Sequence, residues 1–284
     1  MNSQIIGFAD WLKTPPGEYL LAWESAQFDE AVSDIFGYHA LQLGFGELDA
    51  LRANRMPHQW LALHTVTQDT PAAPVTLLPD TTAPLRSSSR PRAALVTDAG
   101  ALPFPENSLD LVVLPHTLEL SLDPHATLRE VERVLVPEGR VVISGLNPTS
   151  LWSMRQTRAH LYRRLGGADL FLPEAGELIG YWRLRDWLRL LSFEVESGRF
   201  GCYRPAFTSQ KWLGRFDWMD KAGARWWPIF GAVYFVVAVK RVQGVRMLEP
   251  AWKSRKAPAA APAVVASREP ATLQRQDAET ILID

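Results

Sequence analysis

Cysteine is almost missing: Cys202 stands alone among 284 residues, so neither an internal disulfide nor an all-thiolate metal site can form. The six histidines are scattered without metal-ligand spacing. An excess charge of either sign is missing too. Thirty Lys+Arg against 31 Asp+Glu leave a formal net charge of -1, so no global positive field gathers DNA or another polyanion around the protein. Long apolar runs are lacking as well. The longest, Trp226 to Val239, is about 14 residues, contains Pro228 and Gly231, and falls short of the roughly 18 to 20 that span a bilayer. The first residues carry Asp10 and Glu18 and show no basic flank before an apolar core, which does not read as a secretory signal. A reducing, cytoplasmic location is the expectation.

What is present is the composition of a folded protein, 47% hydrophobic and 21% charged, with 11 tryptophans. Residues 18 to 36 place Leu21, Phe28, Val32, Ile35 and Phe36 near one face of a 3.6-residue period, which predicts a helix begun by Pro15, Pro16 and Gly17. His39 to Leu43 predicts a strand, Gly44-Phe45-Gly46 a turn, Glu47 to Asn54 a helix and Trp60 to Val66 a second strand. Five prolines and a triple serine between Thr67 and Arg92 predict an irregular crossover. Strands follow at 93–97 and 109–114. A helix capped by Asp123-Pro124 turns Leu128, Val131, Val134 and Leu135 to one side, and Pro137 and Gly139 end it. A strand at 140–144, a helix at 182–191 and two closing strands at 193–200 and 234–242 complete the alternation, which predicts an α/β sheet with parallel units. From Glu249 onward the Ala/Pro-rich chain predicts a tail without a fold of its own.

Five short stretches carry a family resemblance: Asp98-Ala99, Leu102-Pro103-Phe104, Ser108 to Val113, Leu128-Arg129-Glu130, and Arg133-Val134-Leu135 with Pro137 to Arg140. In order and spacing, residues 98 to 148 resemble the middle of a class I S-adenosylmethionine (SAM) dependent methyltransferase of the type 11 group. The resemblance implies a Rossmann-like seven-stranded sheet of order 3-2-1-4-5-7-6, strand 7 antiparallel, with helices on both faces. It places the cofactor SAM at the carboxyl ends of strands 1 to 4, as the general rule for open α/β sheets also does. The domain boundaries expected are an N-terminal helical cap at 1–36, the methyltransferase-like domain at 37–248 with its crossover at 67–92 and a Trp-rich insertion at 207–228, and the tail at 249–284.

Carried onto this sequence, the family's cofactor loop, an acid and then Gly-x-Gly-x-Gly, falls on Gln42, Gly44, Gly46 and Leu48. A neutral amide replaces the acid and a leucine the third glycine. The acid that grips the ribose falls near His64, which offers one acceptor when neutral. Asp98, with Ala99, matches the acid that contacts the adenine amino group, and Leu114 closes strand 4 beside it. His116 is the one candidate base near the reacting methyl. Glu47 and Asp49 would repel a pyrophosphate, which argues against a dinucleotide, yet suit a sulfonium.

Two functions compete. One is methyl transfer from SAM to a small, aromatic or lipophilic acceptor, with Asn147 and Pro148 near it; the other is a catalytically silent module that keeps the fold, has lost SAM and binds or regulates through 151–230 and the tail. Trp212, Trp218, Trp226 and Trp227, interleaved with Lys211, Arg215, Lys221 and Arg225, read as a packed lid or as a peripheral membrane surface. The neutral total and the lack of an RNA-binding module count against RNA.

Overall fold

The computed structural model describes residues 7–63, 95–163, 170–173 and 176–241. The chain divides into two units, Met1–Gln243 and Gly244–Asp284, and every described residue belongs to the first. Runs of apolar and β-branched residues make the strands: β1 (His39–Leu43), β2 (His58–Leu63), β3 (Leu95–Val96), β4 (Leu109–Pro115), β5 (Leu135–Leu146), β6 (Phe193–Gly201) and β7 (Val233–Lys240). They form one sheet in the order β3-β2-β1-β4-β5-β7-β6. All neighbours are parallel except β7, which runs antiparallel to both β5 and β6. This is the class I methyltransferase topology that the resemblance implies.

Alternation along the central strands fills two cores. Leu111, Val113, Val142, Phe235 and Val237 face one way, and Val112, Leu114, Val141, Ile143 and Val236 face the other. On the second face lie α4 (Pro124–Val134), with Leu128 and Val131, and α6 (Tyr181–Leu190), with Leu184 and Leu188. Asp123 caps α4 by accepting a hydrogen bond from the Ala126 backbone at 3.0 Å, and Pro124 sits where the missing N–H costs nothing. The first face is covered by α1 (Phe8–Leu12) and α2 (Pro15–Ser33). Their buried line in α2 is Pro16, Leu20, Glu24, Phe28 and Val32, one residue every four, with a carboxylate in the middle. Phe36, expected on the apolar face, lies beyond the helix and is exposed.

Three local expectations are corrected. The segment 47–54 is a series of turns, not a helix. Gln42 serves the carbonyls of Phe45 and Leu48 and the N–H of Ala50, and Asn54 ties the segment to the end of α2 by donating to the Val32 and Ile35 carbonyls. Next, α4 passes into β5 without a break, and Pro137-Glu138-Gly139 sits in an irregular stretch of that strand, where the pairing jumps from Leu109↔Leu135 to Leu111↔Arg140. Glu138 takes a positive φ of 65° there. Last, a helix α5 (Leu151–Arg163) follows β5 where no periodicity announces one, and the Trp-rich insertion resolves into α7 (Gln210–Arg215), α8 (Trp218–Trp226) and a 3-10 turn at Pro228–Phe230. The crossover at 67–92 and the tail at 249–284 lie outside the described residues. No helix among the described residues is long and apolar enough to cross a membrane.

Phe28 is fully buried and meets Phe235 edge-on at 5.0 Å between ring centroids, joining α2 to β7. Phe28→Ala is expected to cost about 3 to 5 kcal/mol in a denaturant melt, since the rigid sheet beneath limits collapse of the cavity.

Candidate active site at the carboxyl edge of the sheet

The strands β1, β2, β3 and β4 all end at one edge, and the expected site residues that are described lie at or beside it. Gln42 is buried, and its amide is fully engaged: Nε2 donates to Phe45 at 2.8 Å and Leu48 at 2.6 Å, while Oε1 accepts from Ala50 at 3.0 Å. It shapes the glycine loop from inside. Gly44 has φ +72°, and a Cβ there would lie 3.1 Å from Thr117 Oγ1, so a side chain would be both strained and crowded. Gly46 faces Leu63 and Leu61 at ordinary contact distance. Asp98 is exposed just past β3, where Oδ1 accepts from the Gly100 N–H at 3.0 Å. Its Oδ2 takes no hydrogen bond among the described residues. Ala99, Leu102 and Leu114 are buried around that edge. His64 lies outside the described residues.

His116 has a different setting from an open base. It follows Pro115 at the end of β4 in a left-handed conformation, φ 51°, and caps the short helix α3 (Thr117–Leu120). Its side chain has no exposed surface. Nδ1 lies 2.8 Å from Glu119 Oε1, and Nε2 lies 2.9 Å from Glu24 Oε1, an ion-pair separation off the hydrogen-bond line. Phe8 and Phe45 pack on the ring, with centroids 5.0 and 5.6 Å away. Burial pushes the imidazole's pKa down, but the two carboxylates together outweigh it and hold the pKa up at about 10. A protonated ring has no lone pair to take a proton. As placed, His116 is therefore a buried cation that ties α2 to the end of β4, and the role of an open base does not follow from its geometry.

Glu119 extends the cluster. Besides His116, its Oε1 accepts from the Leu146 N–H at 2.6 Å, at the end of β5. Tyr234 on β7 is fully buried beside Gly145, and burial, then the charge of Glu119, pushes its phenol well up. A Cβ on Gly145 would lie 2.4 Å from Tyr234 Oη and 3.0 Å from Glu119 Oε1, which leaves room there for glycine alone. Among the described residues no group of His, Cys, Asp and Glu side chains is arranged to hold a metal ion. A cavity of about 280 Å³ lies elsewhere, between α2 and the β5-β7-β6 side, where Arg140–Glu196 and Arg199–Glu30 pair across its rim. Those mutual pairs and its distance from the strand ends set it apart from the site.

Comparison with known proteins agrees with the fold. A methyltransferase domain model matches residues 72–143. A chain from the complex of the Haloferax volcanii Trm112 methyltransferase activator with a methyltransferase superimposes with a TM-score of 0.50 at 16% identity, covering 85% of this chain and 99% of that one. The chain has the class I methyltransferase fold, and its residues 72–143 match the methyltransferase domain model. Two curated relatives are similar over parts of the sequence. The uncharacterized protein YafS of Escherichia coli K12 is 33% identical over 168 residues, 59% of this chain and 63% of that protein. A malonyl-[acyl-carrier protein] O-methyltransferase of Halorhodospira halophila is 38% identical over 66 residues, 23% of this chain and 22% of that protein. The chain thus matches less than two thirds of the length of either.

Measured against SAM, the carboxyl edge offers a suitable polar contact at one end. Asp98 keeps an oxygen for an exocyclic amine, above a floor of buried Ala99 and Leu102. At the methionine end, Gly44 and Gly46 leave backbone approachable, but the turns at 47–54 supply no helix N-terminus for a carboxylate, and Gln42 is spent on the loop. Sequence reasoning missed Glu24. Its signal was the four-residue spacing of Leu20, Glu24, Phe28 and Val32, which puts one carboxylate on an otherwise apolar line.

Two outcomes follow. Gln42→Glu replaces a donor aimed at two carbonyls by an anion, so it is expected to cost about 2 to 4 kcal/mol in thermal or urea melts, whereas Asp98→Ala on the exposed turn leaves the melt nearly unchanged. For His116, the folded pKa near 10 exceeds the ordinary 6.5 of the unfolded chain. Its contribution to stability is therefore complete below pH 6.5 and is lost as the pH rises through about 10. Urea midpoints taken from pH 6 to 10 should fall steadily, and His116→Gln should flatten that fall while lowering the midpoint throughout.

Proposed function

We propose that this chain is a SAM-dependent methyltransferase acting on a small lipophilic or aromatic acceptor. The observation that carries the reading is the placement of Asp98-Ala99 and of Gly44 and Gly46 along one carboxyl edge of the superfamily's sheet. Asp98 would accept the adenine amino group, Ala99 would floor the ring, and the backbone of 44–46 would lie along the rest of the cofactor. SAM, when bound, supplies an electrophilic methyl on a sulfonium. The protein's part is then orientation and exclusion of water, which needs no triad and no base for an acceptor that is already anionic. The packed aromatics Phe8 and Phe45 over His116 suit a dry edge.

A second reading has its own observation in favour. With turns in place of the helix after β1 and Thr117 set against Gly44, the methionine end offers fewer contacts to an amino acid moiety, as a silent module would. Calorimetric titration with SAM and S-adenosylhomocysteine separates the two. The enzyme reading expects micromolar binding of either ligand, weakened by Asp98→Ala by about 1 to 3 kcal/mol, roughly 5- to 150-fold. Absence of heat at millimolar ligand, from protein with a cooperative melt, would establish the silent module instead.

A further inference from the structure

Residues 224 to 230, Ala-Arg-Trp-Trp-Pro-Ile-Phe, are exposed one after another. Trp226 keeps 75% of its surface open, Phe230 48% and Ile229 46%. Seven consecutive exposed residues that include four large apolar ones oppose the hydrophobic effect, and such a patch marks a surface for something else to cover. The run is not loose. Its carbonyls are taken inward: Pro228 accepts from the Tyr203 hydroxyl at 2.9 Å, and Ile229 and Gly231 accept from Asn147 Nδ2 at 2.7 and 2.8 Å. Asn147 directly follows β5, so the turn is fastened to the carboxyl edge with its backbone satisfied and its side chains turned out.

The neighbouring helices add charge of one sign. Leu213 of α7 is buried and Gly223 of α8 sits against the Tyr203 ring, which fixes both helices to the body of the domain. Lys211, Arg215, Lys221 and Arg225 are all exposed, and no ion pair engages them among the described residues. The two acids of the segment are occupied: Asp217 and Asp220 both pair with Arg204, and Asp220 also accepts from Tyr19. Trp212 and Trp218 stand open between the cations. Unpaired cations among outward tryptophans, beside an apolar turn, match the interfacial zone of an anionic bilayer: the rings sit at headgroup depth and the cations meet lipid phosphates.

We propose that α7, α8 and the turn 224–230 form a docking element for the surface of an anionic membrane, which sets the carboxyl edge of the sheet against the lipid. The docking stands whether or not SAM binds. Joined to the methyltransferase reading, it makes the acceptor class a lipophilic molecule reached from the bilayer.

The test is flotation of the full-length protein, without SAM, on vesicles of phosphatidylcholine containing about one third phosphatidylglycerol. The expected result is co-flotation at about 50 mM salt that weakens several-fold at about 500 mM. Trp226→Glu/Phe230→Glu should reduce the bound fraction about tenfold or more while keeping the wild-type melt, because both side chains are exposed. Lys221→Gln/Arg225→Gln should weaken binding and flatten its salt dependence. Failure of wild type to float at low salt, or undiminished flotation of the Trp226/Phe230 variant, would overturn the proposal. So would concentration-dependent self-association abolished by that variant without any flotation, which would make the surface an interface between copies of this chain.

Discussion

One buried ion cluster holds the functional edge together. Glu24 from α2, His116 from the end of β4 and Glu119 from α3 meet with essentially no exposed surface, and Glu119 reaches on to the N–H of Leu146, the last residue of β5. Removing three charged groups from water is costly, and a pair of this kind adds little net stability compared with apolar packing. Its effect is conditional. Once the carboxylates are buried, withdrawing the imidazolium leaves like charges facing each other in a poorly screened interior, which costs about 3 to 5 kcal/mol. The N-terminal helices and the strand ends must therefore assemble together. The left-handed φ of His116 and the glycine at 145 are the local backbone adjustments that let the cluster close.

The same edge commits its polar side chains to structure. The residue after β4 is spent on holding the N-terminal helices, and the residue before the glycine loop is spent on the loop. Gln42 does this because an amide can donate and accept at once. A carboxylate in its place could serve only the Ala50 N–H. Segment 47–54 then has its polar groups satisfied from the side and needs no helix. Asp98 takes no part in these contacts and engages only its own turn. The edge thus divides into an end where Asp98 keeps an open oxygen and an end where Gln42 is spent on the loop, and the apolar, basic turn at 224–230 adjoins it through Asn147.

Much of the fold could be read from the residues because strands and amphipathic helices announce themselves by period. The strand at 39–43 matches residue for residue, and the helix begun by Asp123-Pro124 carries its cap and its buried leucine and valines as read. The sheet order came from what the family resemblance of the 98–148 motifs implies and not from periodicity. What stayed hidden depends on contacts between distant residues. Propensity favours a helix at 47–54, but Gln42, reaching across from β1, and Asn54, bound to the end of α2, override it. His116 reads as a lone histidine until Glu24, 92 residues earlier, is folded beside it. The tryptophans were visible as a group, yet only the hydrogen bonds from Asn147 and Tyr203 show that the turn bearing two of them is held rigid with its rings outward.

The most direct test of this account is the ionisation of His116 itself, followed by nitrogen-15 NMR of imidazole-labelled protein. The account expects both ring nitrogens of the buried histidine to remain protonated at pH 8.5, with titration centred near pH 10 and absent in His116→Gln. A His116 ring that is neutral at pH 8 and titrates near 6.5 would contradict it, because the carboxylates would then not be holding the cation on which the edge is built.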